Sequence, residues 1–291
     1  MQVLIIGCGY VGKQVGASLV AAGQEVFGVR RRSEAAAELA PLGIQPVIAD
    51  LTRSEELKGL PAGCDGVVLC AASSGGGLDD YRRVYVDGTR NVLHWLASHP
   101  PRKLVYTGST GVYGQQNGEE VDEESPTEPD APTAQILVET ERMLREAAAS
   151  GRVPAVMLRL AGIYGPGRGY WLKQFLAGEA RLEGDGSRVL NMIHRDDVAR
   201  SVATALDRAE PGTVWNVVDD EPVTQLAVFQ WLAARLHAPL PPTAEGPSAG
   251  GKRRPGSKRV QNRRLRQGLG VELAYPTFRE GFEAELRRLG R

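Results

Sequence analysis

Several things are missing from this chain, and each absence excludes a class of protein. No apolar run approaches the ~20 residues that a membrane span needs, so nothing reads as a transmembrane helix. Neither sign of charge is in excess. Lysine plus arginine equals aspartate plus glutamate at 35 each, which leaves no global field to draw nucleic acid or a membrane surface. Cysteine is scarce: Cys8, Cys64 and Cys70 show no C-x-x-C spacing, which argues against a disulfide framework or a zinc site and suits a reducing cytoplasm. The four histidines carry no H-E-x-x-H or similar ligand spacing, so no metal is expected. No basic, cleavable leader precedes the first strand-like run, Val3-Leu4-Ile5-Ile6, and the expected location is cytoplasmic.

What the 291 residues do contain is alternation of short apolar runs with helix-period stretches. Strands are expected at 2–6, 25–29, 45–48, 66–70, 102–107 and 154–159, with helices at about 11–22, 33–40, 54–59, 78–98 and 133–149. Runs such as Val67-Val68-Leu69 are apolar at every position, as strands buried on both faces are. Repeated βαβ units make an α/β Rossmann fold with a doubly wound parallel sheet the economical architecture. After residue 160 the pattern loosens. A glycine-rich loop at 162–169 precedes an expected helix at 170–178, a strand at 188–193, a helix at 196–209, a strand at 213–218 and a last helix at 276–289. The expected organisation is a dinucleotide-binding core at 1–160, to which 188–220 return, and a small C-terminal substrate lobe from 161–187 and 221–291. Residues 239–257, rich in proline and glycine, read as a surface loop.

Gly7-Cys8-Gly9-Tyr10-Val11-Gly12 is a G-x-G-x-x-G turn between a buried strand and a helix, the context that gives this pattern meaning. Gly7 permits the tight turn, Gly9 lets backbone approach a pyrophosphate, and Gly12 lets helix pack on strand. Exposed N–H groups and the helix dipole then favour the anion. The end of the second strand decides the nucleotide. NAD sites place an acid there for the ribose hydroxyls, but this chain reads Val29-Arg30-Arg31-Arg32 with no acid before Glu34. Guanidinium groups at that point grip a 2′-phosphate, so NADP is favoured over NAD. Asp50, after the third strand, either hydrogen-bonds the adenine amino group or caps the next helix.

Further motifs follow in order: Asp50-Leu51, Ala71-Ala72, Gly88-Thr89-Arg90-Asn91-Val92-Leu93, Ser109-Thr110-Gly111-Val112-Tyr113-Gly114, and Leu158-Arg159 through Ile163-Tyr164-Gly165-Pro166-Gly167. Beyond these come Ile193-His194-Arg195-Asp196-Asp197-Val198-Ala199, Trp215-Asn216-Val217-Val218 and Tyr275-Pro276-Thr277-Phe278. Together they resemble the extended short-chain dehydrogenase/reductase superfamily, also called the NAD-dependent epimerase/dehydratase family, over nearly the whole chain. The resemblance implies Gly7, Gly9, Tyr10, Val11, Gly12, Arg30, Arg31, Asp50, Leu51, Ala71 and Ala72 as cofactor contacts.

Two departures stand out. The glycine turn is a residue shorter than the family's usual G-x-x-G-x-x-G. The family's catalytic Tyr-x-x-x-Lys is also absent, and counting back from Glu141 puts its positions on Thr133 and Leu137. No tyrosine lies between Tyr113 and Tyr164, and no lysine between Lys103 and Lys173. Reduction of a carbonyl leaves an alkoxide that needs a proton, and Leu137 offers neither charge nor donor. The chain thus resembles the superfamily's atypical branch. Ser109, Tyr113 and Thr133 are the candidate catalytic side chains. Tyr113 has no neighbouring cation to lower its pKa from about 10, and Thr133 has no useful acidity.

Tyr164 and Arg168 fall on the loop where the resemblance implies substrate contacts. His194 is expected to support a helix entrance, which Asp196 or Asp197 would cap. Lys252, Arg253, Arg254, Lys258, Arg259, Arg263, Arg264 and Arg266 form a basic stretch. It reads as a solvated face or as an anion site for a phosphorylated or nucleotide-linked substrate. Nucleic acid ranks last, because no aromatic residues interleave it. Three functions are carried forward: an NADP-dependent oxidoreductase or epimerase-like enzyme on a small carbonyl or nucleotide-sugar substrate, a non-catalytic NADP-binding redox sensor, and a scaffold. A homodimer through helices 78–98 and 133–149 would use Tyr81, Val84, Leu93, Trp95 and Leu144.

Overall fold

The computed structural model describes residues 1–73, 75, 77–244 and 257–291. Its centre is a seven-stranded parallel sheet. From one edge it runs Gln45–Ile48, Glu25–Arg30, Gln2–Ile6, Gly66–Leu69, Lys103–Ser109, Ala155–Leu160 and Val214–Val217. Counted along the chain the order is 3-2-1-4-5-6-7, the doubly wound Rossmann arrangement.

Strand alternation distributes the side chains between two cores. Val3, Ile5, Val68, Val105, Val156 and Leu158 pack with Val15, Leu19, Val198 and Val202 from the helices Tyr10–Ala21 and Arg195–Arg208. Leu4, Ile6, Leu69, Leu104, Tyr106 and Met157 meet Val92, Leu96 and Leu144 from Gly88–Ser98 and Pro132–Ala149 on the other face. Each such side chain, fully buried, contributes about 1.5–3 kcal/mol. Ala155–Leu160 is buried throughout because both faces are covered.

A third apolar cluster lies beyond the sheet. Leu172 and Phe175 from Tyr170–Leu176 meet Val228, Phe229 and Leu232 from Gln225–Leu236, and Phe278, Phe282 and Leu286 from Phe278–Arg288. The last helix opens on a capping box between Thr277 and Glu280.

Three expectations change. The helix Gln225–Leu236 was not anticipated; its apolar residues run round most of its circumference, so little helical period shows. The expected strand at 188–193 divides at Asn191. Val189–Leu190 pairs with Val223–Thr224 and Met192–His194 with Gly162–Tyr164, while Ile193 packs into the first core cluster. Val84, Trp95 and Leu144 are buried in the chain's own core and cannot form an outer dimer face. Lys252, Arg253, Arg254 and most of the 239–257 loop lie outside the described residues. Among the described residues, no helix is long and apolar enough to cross a membrane, and no His, Cys, Asp or Glu group could hold a metal ion.

A polar cluster built on Arg159 interrupts the apolar interior. The side chains of Arg159 and Glu141 are 1% and 4% exposed, with Arg159 Nε and Nη2 donating to the carboxylate at 3.0 and 2.8 Å. Arg159 Nη1 donates to the Tyr113 hydroxyl at 2.8 Å, and that hydroxyl donates to Asn216 Oδ1 at 2.7 Å. Burial opposes the guanidinium's charge, but Glu141 outweighs it and Arg159 holds its proton more tightly than usual. Removing one member leaves the other charged and buried. Arg159→Met is therefore expected to lose about 3–5 kcal/mol in urea unfolding, and adding Glu141→Leu to recover much of that loss.

Candidate active site

The sheet order reverses between Gln2–Ile6 and Gly66–Leu69, where such sheets bind ligands. A cleft of about 1300 Å³ opens there. Gly7 has φ +88°, and a Cβ on it would lie 2.4 Å from the Ala71 backbone, so only glycine brings the two strand ends together. Gly9 differs. A Cβ there would meet no backbone closer than 3.8 Å, but it would project beside Arg30 Nη1 into the mouth of the turn. Gly12 stands behind, against Cys70 and Ile5, and does not line the cleft.

The helix that follows starts at Tyr10 with Gly9 as an N-cap that offers no side chain, and its first turn holds no acid. The first intrahelical bond is donated by Lys13 to Gly9, so the N–H groups of Tyr10, Val11 and Gly12 have no acceptor in the helix. An anion supplies one. Arg30 donates to the Cys8 carbonyl at 3.0 Å, which holds its guanidinium over the turn; Arg31 and Arg32 line the same end of the cleft. Asp50 Oδ1 accepts the Thr52 N–H and hydroxyl at 2.9 and 2.8 Å. Asp50 thus closes a local turn, while the residue at the helix N-cap is Arg53. Leu51, Ala71 and Ala72 line the cleft beside it.

Ser109 ends the fifth strand on the same cleft. Its Oγ accepts the Gly111 N–H at 3.0 Å, which leaves the hydroxyl proton to donate to a ligand. Tyr113 also borders the cleft, but its hydroxyl is committed in the interior to Arg159 and Asn216. The expectation that it lacks a neighbouring cation is corrected: the Arg159 guanidinium lies 4.9 Å from its ring centre. Burial nonetheless raises its pKa, outweighing Arg159. Thr133, in the first turn of Pro132–Ala149, is not among the cleft residues, although Pro132 and Ala134 are.

His194 is buried and caps Arg195–Arg208, its Nδ1 accepting the Asp196 N–H at 3.2 Å. Burial lowers its pKa against the pull of Asp196, Asp197 and Glu285, so it is neutral. Asp197 does not cap. Its carboxylate accepts the backbone N–H groups of Ala274 and Tyr275 at 2.7 and 2.9 Å, tying the C-terminal segment to the core. Tyr164 packs against Phe282 and donates to the Thr277 carbonyl, while Arg168 lies 5.3 Å from the Tyr10 ring centre at the cleft mouth.

The cleft also holds Trp171, Glu183, Arg188 and Asn191, which the sequence did not single out, and Lys258, which it placed only within the basic stretch. Of the described basic stretch, Arg264 pairs with Glu124 and Arg266 with Asp220, whereas Lys258 turns inward to line the cleft. A weak signal existed. Lys258 and Val260 share a strand face, and Val260 is an inward-facing type of residue.

The reversed sheet, the uncapped glycine turn and a cleft running from that turn to Ser109 define a dinucleotide-binding α/β enzyme. The NAD dependent epimerase/dehydratase family model matches residues 3–217, and the chain belongs to that family. It is similar to protein YeeZ of Escherichia coli strain K12, 27% identical over 94% of this chain and 96% of that protein. It is also similar to a 3-diazoavenalumate denitrifying reductase of a Streptomyces species, 28% identical over 98% of this chain and all of the other. DesIV, a dTDP-glucose 4,6-dehydratase from Streptomyces venezuelae solved with NAD and TYD, shares the fold. Its TM-score is 0.85 at 22% identity, over 99% of this chain and 96% of that one. The chain is an NAD(P)-dependent enzyme of the oxidoreductase and epimerase type.

Asp219, outside the cleft lining, is sealed from water. It is 1% exposed, its Oδ2 has no hydrogen-bond partner, and burial raises its pKa well above the usual carboxylate range. A raised folded pKa means stability that is complete below the unfolded value near 3.9 and is lost as pH rises through the folded value. Asp219→Asn, which mimics the protonated acid, is expected to raise Tm at pH 8 by roughly 2–4 °C. The gain should shrink as pH falls toward 4, as scanning calorimetry across pH would show.

Proposed function

We propose that the protein is an NADP-dependent oxidoreductase acting on a small carbonyl compound, with nucleotide-linked sugars as the alternative substrate class. The observation that carries this reading is one continuous cleft. It has the uncapped helix start and Arg30, Arg31 and Arg32 at one end, and the Ser109 hydroxyl and an interior lysine further along. The residues fit the coenzyme. The space at Gly9 that a Cβ would fill suits a diphosphate, and the arginines suit a 2′-phosphate in place of the acid an NAD site would carry. Bound NADPH would supply the hydride. The chain's part is to neutralise the diphosphate with the Tyr10 and Val11 N–H groups and to hold the substrate oxygen through Ser109. A redox-sensor role remains the rival, because Thr133 and Leu137 supply none of the acid-base chemistry that the family's tyrosine and lysine provide.

NADPH consumption against a panel of aldehydes and ketones separates these readings. Turnover supports the enzyme, whereas tight NADPH binding with an inert panel and a coenzyme-dependent change of oligomeric state supports the sensor. NADP should raise Tm more than NAD at equal concentration. The double variant Arg30→Gln/Arg31→Gln is expected to weaken NADP binding about 10–100-fold and NAD binding by a smaller factor. Gly9→Val should fold but lose the coenzyme-induced rise in Tm, since its side chain fills the diphosphate's place.

A further inference from the structure

The family's usual proton donor is absent from this chain, yet the cleft holds an ionisable group in another place. Lys258 opens the short strand Lys258–Val260, which pairs in parallel with Glu119–Val121. The residue is 8% exposed. Its Nζ donates to the Tyr113 carbonyl at 2.6 Å and lies 5.8 Å from that ring's centre. Tyr113 follows Ser109 across a single 3-10 turn, Thr110–Val112. The lysine is therefore anchored to the loop that carries the substrate-facing serine, and both line one cleft.

Its surroundings do not neutralise it. Glu119, opposite it in register, turns its carboxylate to the backbone and side-chain amides of Asn117. Asn191, from the adjoining segment, is uncharged and brackets the strand through the Lys258 carbonyl and the Val260 N–H. Glu183 pairs with Arg188, Glu141 with Arg159, and Glu123 accepts the Asn216 N–H. Arg259, next along the strand, turns away to the Pro222 carbonyl. Burial alone acts on the ammonium, and it lowers the pKa to about 8.

We propose that Lys258 is the proton donor for carbonyl reduction, doing from the C-terminal lobe what the tyrosine and lysine do in the family's usual site. The inference rests on the reductase reading. As hydride from NADPH bonds to the carbonyl carbon, the C=O π pair moves to oxygen. An N–H bond of the ammonium breaks and the O–H bond of the alcohol forms. Lys258 becomes a neutral amine, still within reach of the Tyr113 carbonyl, and regains a proton from solvent. In the reverse direction the amine takes the alcohol's proton. An ordinary lysine holds its proton too tightly near neutral pH, whereas a buried one is matched to the task.

The test uses the full chain and two variants. Lys258→Gln removes the group, and Lys258→Arg keeps the charge but cannot release a proton. Both should keep the NADPH-induced rise in Tm, and both should reduce carbonyls about 10²–10⁴-fold more slowly than wild type. The wild-type rate should fall above pH of about 8. A readout independent of turnover is the pH dependence of acetic anhydride labelling at Lys258, read by mass spectrometry, with a midpoint expected near 8. A labelling midpoint of about 10 or higher, the unperturbed lysine value, would overturn the donor role alone, as would either variant working within tenfold of wild type. A wild-type protein that binds NADPH and reduces no carbonyl would overturn the reductase reading, and the donor role with it.

Discussion

The buried pairing of Arg159 with Glu141 organises more of this molecule than any single apolar contact does. Arg159 stands next to the last residue of a fully buried strand, and Glu141 comes from the helix laid across that strand's face. Two charges taken out of water demand complete hydrogen bonding, and the structure supplies it through Tyr113 and Asn216. Asn216 in turn donates through its side chain to the Gln261 carbonyl and through its backbone N–H to the Glu123 carboxylate. Five separated parts of the chain are thereby brought into register around one guanidinium. An apolar core tolerates small slips. A satisfied polar network does not, because each displaced partner leaves a buried group unpaired.

That constraint reaches the cleft by a short route. Tyr113 is fixed at its hydroxyl by Arg159 and at its carbonyl by Lys258. The segment that follows Ser109 is consequently braced from two sides. At the opposite end of the cleft the constraint is steric: Gly7 meets Ala71 so closely that the strand ends must part just beyond, and the gap exposes the first turn of Tyr10–Ala21. The coenzyme end is thus shaped by backbone approach and the substrate end by a polar network, and the sheet holds the two ends in a fixed relation.

Much of this could be read from residue order. Val3-Leu4-Ile5-Ile6 followed by glycines announces a buried strand feeding an anion-binding turn, and the strand-and-helix alternation leads to the sheet order found. Local signals suffice there because each depends on neighbours within a few residues. Gln225–Leu236 escaped for the opposite reason: its apolar residues run round most of the helix, and of its two exposed positions, Gln230 and Ala234, one is itself an alanine. Asp197 has the sequence look of a cap, and only its contact with Ala274 and Tyr275 shows the different job it performs.

Lys258 is the most instructive case. In a run of lysines and arginines, charge density points to a solvated surface, and for Arg264 and Arg266 that reading comes close, since both sit half-exposed beside acids. What turns Lys258 inward is pairing with Glu119–Val121, a partner far back in the chain. Once that pairing forms, alternation sends Lys258 and Val260 to the buried side and Arg259 to the other. Charge alone therefore cannot tell a site residue from its neighbours in such a stretch. The distinction is made by β-sheet register, and register belongs to the folded chain.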